Sequence, residues 1–252
     1  MTTRPADPLH SFHAFTTTHA VVLVGLAFGT AVACALGVRY RGTPVLRRGE
    51  RVAGFVMLAL WIAWQGFGWL PANYKIEEAL PLQMCDLTSL AAPLVLLTRA
   101  RLLRTLLYFW GLGLSIQALI TPTIEEGPLY VAFWLFWLTH AAIIATAGYD
   151  LVAWRFRPTF RDAVFGIAVC TAWLGVVLTV DLALAANYGY VGNATPDRPT
   201  VIDQLGPWPL RVYKMYAAMI VLFLAMWFPW WLVRGRAMIG GTSDQRGGGV
   251  RE

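Results

Sequence analysis

Charge is scarce in this chain. Charged residues make up only 13% of 252 positions, about half of what a soluble domain carries. That scarcity excludes an ordinary water-soluble enzyme. Cysteine and histidine are few as well, at three and four residues. The cysteines all lie in apolar stretches and provide no disulfide framework. A glycine-rich phosphate cradle is missing, so no nucleotide cofactor is implied. The Cys, His and Asp residues within the apolar segments follow no familiar ligand spacing, so no metal is expected either. There is no polar stretch long enough to form a second, soluble domain.

What the chain has instead is apolar length. It is 58% hydrophobic, and seven runs approach the roughly 20 residues that a bilayer core demands. They cover about 18–38, 52–70, 80–97, 103–120, 128–147, 163–186 and 210–233. Only helices satisfy their own backbone in lipid at this segment length. The fold expected is therefore all-α, a polytopic membrane bundle of seven transmembrane helices. It consists of a tail at 1–17, the helical domain at 18–233 and a disordered tail at 234–252.

The excess positive charge is distributed by topology. Arg39, Arg41, Arg47, Arg48 and Arg51 crowd the first connection; Arg99, Arg101 and Arg104 the third; Arg155, Arg157 and Arg161 the fifth. The alternate connections carry Glu77, Glu78, Glu125, Glu126, Asp197 and Asp203 beside few cations. Cytoplasmic connections are the Lys/Arg-rich ones. The expected orientation has the N-terminus outside and the C-terminus cytoplasmic, in a multi-pass protein of the cell membrane. The basic cluster follows the first span, the reverse of an export signal. Positive charge arranged in this way implies no nucleic-acid partner.

Titratable groups in hydrocarbon are costly and usually face a bundle interior. Cys85 opens the third run and His140 lies midway along the fifth. A thiol beside an imidazole is a minimal apparatus for nucleophilic catalysis, with the imidazole moving the proton. Asp86 or Asp181 would orient that imidazole, as in a triad. Gln83 and Gln117 are further polar candidates near the same end. Counted at about 1.5 Å per residue, His140 lies on the order of 10 Å deeper than Cys85. A helix tilt averaging about 20°, or span boundaries a few residues from those counted, would each be enough to close that gap. Cys34 and Cys170 read as packing residues. The loop from Asn187 to Pro209 is long, aromatic and rich in Pro and Gly, which suits an ordered cap.

Leu80-Pro-Leu-Gln-Met-Cys-Asp-Leu87, His140, Asn187-Tyr-Gly-Tyr190 and Leu205-Gly-Pro-Trp-Pro209 together resemble the YwaF family of bacterial integral membrane proteins. The resemblance runs from about 50 to 233. Eukaryotic relatives of that family are cysteine-dependent transmembrane acyltransferases that move fatty acyl chains between phospholipids. The resemblance implies that Cys85 and His140 are catalytic; Gln83 stands where a His is frequent in the family.

The function expected is a membrane lipid acyltransferase, or acyl hydrolase, acting on phospholipid and lysophospholipid through a Cys85 thioester. Asn187, Tyr188, Trp208, Tyr213 and Lys214 are the expected substrate contacts. The competing reading is a non-enzymatic small transporter, or a lipid- or ligand-binding receptor, using the same outward-facing polar cavity. A membrane assembly partner is the third.

Overall fold

The computed structural model describes residues 8–193 and 201–243. Each of the seven apolar runs becomes a helix: α1 (Thr17–Arg39), α2 (Pro44–Gly68), α3 (Met84–Thr98), α4 (Arg101–Ile120), α5 (Val131–Val152), α6 (Phe160–Leu184) and α7 (Leu210–Ser243). No strand occurs among the described residues; an isolated bridge joins Ser11 to Glu126. By length and composition six of the helices can cross a membrane, while α3 is apolar but only 15 residues long.

Local chemistry sets the boundaries. The Thr43 hydroxyl accepts from the Leu46 N–H, with Pro44 in the first turn of α2. At α6 the Thr159 side chain and Asp162 cap each other's backbone, satisfying N–H groups that a helix start leaves orphaned. Arg99 takes a left-handed conformation (φ 56°), so α3 stops there and α4 begins two residues later. The third apolar run is helical only from Met84. The preceding stretch contains a single helical turn, Ile76–Ala79.

α5 is the centre of the bundle, with α1, α2, α3 and α4 all packed against it. α6 packs against α4 on the other side, and α7 packs against α6. There Tyr108, Phe109, Cys170, Met219 and Phe223 form one buried cluster, so Cys170 serves packing as expected. Midway along α4, Leu107–Leu112 is a π-helix, a wide turn that rotates the residues beyond it.

At the end where α3 meets α4, three buried carboxylates gather the arginines. Glu50 accepts from the Tyr149 hydroxyl at 2.7 Å, the Trp154 indole at 2.8 Å, and both Arg47 and Arg99. Asp150 pairs with Arg104 at 2.7 Å and Asp162 with Arg101 at 2.6 Å. The network has no signature along the chain, because each acid stands just outside an apolar run. The basic connections are not simply solvated charge; part of that charge is neutralised inside the fold.

The flanking segments depart from the expected tails. Before α1, Phe12 is buried against Phe133 and Trp137, and the Phe12 N–H donates to the Glu125 carbonyl at 2.6 Å. Gly127 makes this approach possible, since a Cβ there would stand 2.4 Å from the Leu9 carbonyl oxygen. At the other end α7 runs on to Ser243, into the stretch expected to be disordered; 244–252 lie outside the described residues.

Removing the hub of the charge network tests its weight. Glu50→Ala leaves two cations and two ring donors without their carboxylate and is expected to cost about 3 kcal/mol. A thermal unfolding series in detergent reads this directly. An unchanged midpoint would show that the network contributes nothing to stability.

Candidate functional site

The site is built around one close approach. A Cβ on Gly111 of α4 would stand 2.9 Å from Ile143 Cγ2 of α5 and 3.4 Å from Thr88 Cγ2 of α3. Glycine is therefore required where the three helices meet. α3 and α5 run parallel here: Ala92 packs with Ile143 and Ala147, and Leu96 with Tyr149 and Ala153. α4 runs against them, since Leu107 joins the Ile143 cluster and Leu119 the Phe133 cluster.

One helical turn, about 5.4 Å, from this layer toward the start of α3 leads to Cys85, His140 and Ser115. They lie three residues before Thr88, three before Ile143 and four after Gly111. Residues three apart share an α-helix face, so Cys85 and His140 belong to one layer between the same helices, and the π-helix ahead of Ser115 turns that residue toward it. The Ser115 hydroxyl interacts with the Cys85 thiol. The depth gap counted from the sequence disappears because α3 starts late and sits deeper in the bundle than its apolar run suggests.

Cys85 is the second residue of α3. A helix start presents partial positive charge and unbonded N–H groups, which offsets part of the cost of a buried thiolate. His140 is buried, and its Nδ1 lies 2.7 Å from the Phe136 carbonyl oxygen. A carbonyl only accepts, so Nδ1 carries the proton and Nε2 keeps the lone pair. The Phe136 ring, 4.3 Å away centre to centre, fixes the imidazole's tilt.

This arrangement corrects the triad expectation. The group that orients His140 is a backbone carbonyl, so neither Asp86 nor Asp181 has that role. Asp86 is buried and turned toward α2, where its carboxylate interacts with Gln65 and Trp64; its carbonyl accepts from the Trp61 indole at 2.9 Å. Asp181 accepts from the Tyr188 N–H at 2.8 Å through one oxygen, and its other oxygen has no partner. Gln117 is exposed and does not join the layer.

The loop motif is tied into the fold through hydrogen bonds to backbone. Tyr188 is fully buried. Its hydroxyl donates to the Ile76 carbonyl at 2.5 Å and accepts from the Leu80 N–H at 2.9 Å. The Gly189 N–H donates to Gln83 Oε1 at 2.9 Å, and the Trp173 indole donates to the Leu82 carbonyl at 3.0 Å. These bonds brace the segment leading into Cys85. Asn187 accepts from the Gly192 N–H and Trp208 donates to the Val191 carbonyl, so both order the loop itself. Tyr188, Asn187, Trp208 and Gln83 thus each hold backbone in place. Tyr213 and Lys214 are exposed at the start of α7, where Lys214 donates to the Leu205 carbonyl at 2.8 Å.

The structure also adds residues. Ser115 and Gln65 are buried with unpartnered side-chain atoms, as is the Trp137 indole one turn beyond His140. Spacing along the chain gives no hint of Ser115, since it depends on the π-helix. His19 is a second buried imidazole, but the Phe15 N–H donates to its Nδ1 and its Nε2 meets the Leu119 carbonyl at 2.8 Å. With both nitrogens engaged, it is a structural strut. Two cavities of about 300 and 390 Å³ flank α1 where it meets α5. They are lined almost entirely by apolar side chains, including Leu26, Leu119, Trp137 and Ile144, and differ from the polar outward cavity expected.

Comparison with known proteins gives a family and little more. The model of the TMEM164 family matches residues 14–227. An uncharacterized protein of Treponema pallidum (strain Nichols) is 27% identical over 182 residues, covering 70% of this chain and 73% of its own. The YwaF-type family suggested by the motifs is not among these matches. No solved structure matches.

The brace is open to a direct test. Tyr188→Phe strands the Leu80 N–H and frees the Ile76 carbonyl, at a cost of about 1–3 kcal/mol. The lead into Cys85 is then expected to loosen, with maleimide modifying Cys85 several-fold faster while Cys170 is unaffected. Equal rates in the variant and the parent would show that Tyr188 does not hold this segment.

Proposed function

The chain belongs to the TMEM164 family, and we propose that it is a membrane-embedded phospholipid acyltransferase, or acyl hydrolase, with Cys85 as nucleophile. The observation that supports this reading is the shared layer of Cys85 and His140, with the imidazole Nε2 left free to accept a proton. In the proposed reaction Nε2 takes the thiol proton as Cys85 Sγ attacks an ester carbonyl. The bond to the lysolipid oxygen breaks, that oxygen takes the proton, and a thioester remains on Cys85. An acceptor hydroxyl, or water, then gives its proton to Nε2, attacks the thioester and restores the thiol. Proton transfer of this kind is worth about 10²–10⁴-fold in rate.

In this reading the N-terminus lies outside, the C-terminus is cytoplasmic, and the layer faces the outer leaflet of the cell membrane. The apolar cavities beside α1 hold acyl chains. Lys214 retains N–H groups for a headgroup phosphate, a contact that suits a compact cation. A lipid-binding receptor is the second reading, and the apolar character of both cavities is what favours it.

Labelling of the purified protein with an acyl-transferring ester probe separates the two. Wild type and Cys170→Ala are expected to label, Cys85→Ala to lose the label, and His140→Ala to label at least about 100-fold more slowly. Labelling that ignores both Cys85 and His140 would sink the acyltransferase reading and favour the receptor.

A further inference from the structure

We propose that the Ser115 hydroxyl and the Cys85 backbone N–H form the oxyanion site for the acyl group transferred to Cys85, an assignment that rests on the acyl-enzyme reading above.

Ser115 is 2% exposed and its hydroxyl has no hydrogen-bond partner, a costly state for a buried polar group. Several other helical hydroxyls among the described residues avoid it. Thr88, Thr139, Thr171 and Thr179 each donate to the carbonyl four residues earlier. Ser115 makes no such bond because it follows the π-helix. Its N–H bonds five residues back, to the Trp110 carbonyl at 2.8 Å, and the wide turn carries its side chain round to the thiol. Such π-turns recur at functional sites. The hydroxyl interacts with Cys85 without a regular hydrogen bond to it.

That placement suits a transition state better than a resting thiol. When Sγ attacks an ester, the carbonyl π pair moves onto oxygen, giving an oxyanion two bonds from sulfur. A stabilising donor belongs about 3 Å from that oxygen, beside the sulfur rather than on it. A second donor comes from the helix start. Gln83 occupies the N-cap of α3 but caps no N–H, because its side-chain oxygen is taken by Gly189. The Cys85 N–H, in the first turn, has no carbonyl within its helix. Ser115 and this N–H thus offer two donors in the layer that holds the nucleophile. When the intermediate collapses, the pair returns to the carbonyl and the lysolipid C–O bond breaks, so neither donor is consumed.

The test compares two reactions of the same thiol in the full-length protein. Para-nitrophenyl butyrate acylates Cys85 through an oxyanion, whereas iodoacetamide alkylates it without one. Both rates are read by intact mass. Ser115→Ala is expected to slow acylation about 100-fold and to leave alkylation within about three-fold. Ser115→Thr, which keeps a hydroxyl, restores much of the loss. Acylation unchanged in Ser115→Ala, or slowed only in parallel with alkylation, overturns the oxyanion assignment while the acyl-enzyme reading stands. A wild-type protein that alkylates at Cys85 but never acylates overturns both.

Discussion

The structure turns on how closely three helices approach at Gly111. Side chains from α3 and α5 reach into the space a Cβ would need, so no larger residue fits without separating them. That contact fixes the relative heights of α3, α4 and α5, and with them the level of Cys85, Ser115 and His140. Packed interiors tolerate little displacement; one methyl group at this point would shift the polar layer as well as the apolar one below it. The chemistry proposed for Cys85 is in this sense a consequence of a glycine more than one helical turn away.

Around that contact, polar groups divide by whether the protein satisfies them. His19 has both ring nitrogens engaged, and Asp150 and Asp162 are saturated by arginines and caps. In the layer of Cys85 the accounts stay open. His140 keeps one nitrogen free, and Ser115 holds a buried hydroxyl without a partner. Buried polar groups are nearly always bonded, so an unpartnered hydroxyl beside a thiol and a half-engaged imidazole suits a role other than stability.

Much of the fold was legible in the sequence, because apolar length and basic connections are strong signals in a membrane chain. All seven runs became helices, with Cys85 half-buried at the start of α3 and His140 buried midway along α5, its parallel partner. What could not be read was anything set by contact between distant segments. The late start of α3, which removes the height difference between thiol and imidazole, depends on Tyr188 and Trp173 holding the chain ahead of it. Ser115 was invisible because a π-turn changes which face a residue occupies. The role given to Asp86 and Asp181 failed because a backbone carbonyl, which has no sequence signature, oriented the ring instead. The bracing by the loop motif had no signature either, because aromatics, Asn and Gly suit backbone contacts and ligand contacts equally.

The two ends of the bundle are also fastened differently. At the end with Glu50, Asp150 and Asp162, ionic bonds tie α2, α3, α4, α5 and α6 to one another. At the Cys85 end no ion pair is described: Tyr188, Gln83 and Trp173 brace the lead into α3 by neutral bonds, and the charged groups Asp181 and Lys214 bond to backbone. Bonds to charged groups are worth about 1.5–3 kcal/mol and neutral ones about 1. Mechanically the molecule is a peg riveted at one tip and laced at the other. Local opening follows the weaker fastening, so the short lead into α3 is expected to loosen at a lower free-energy cost than the Glu50 network.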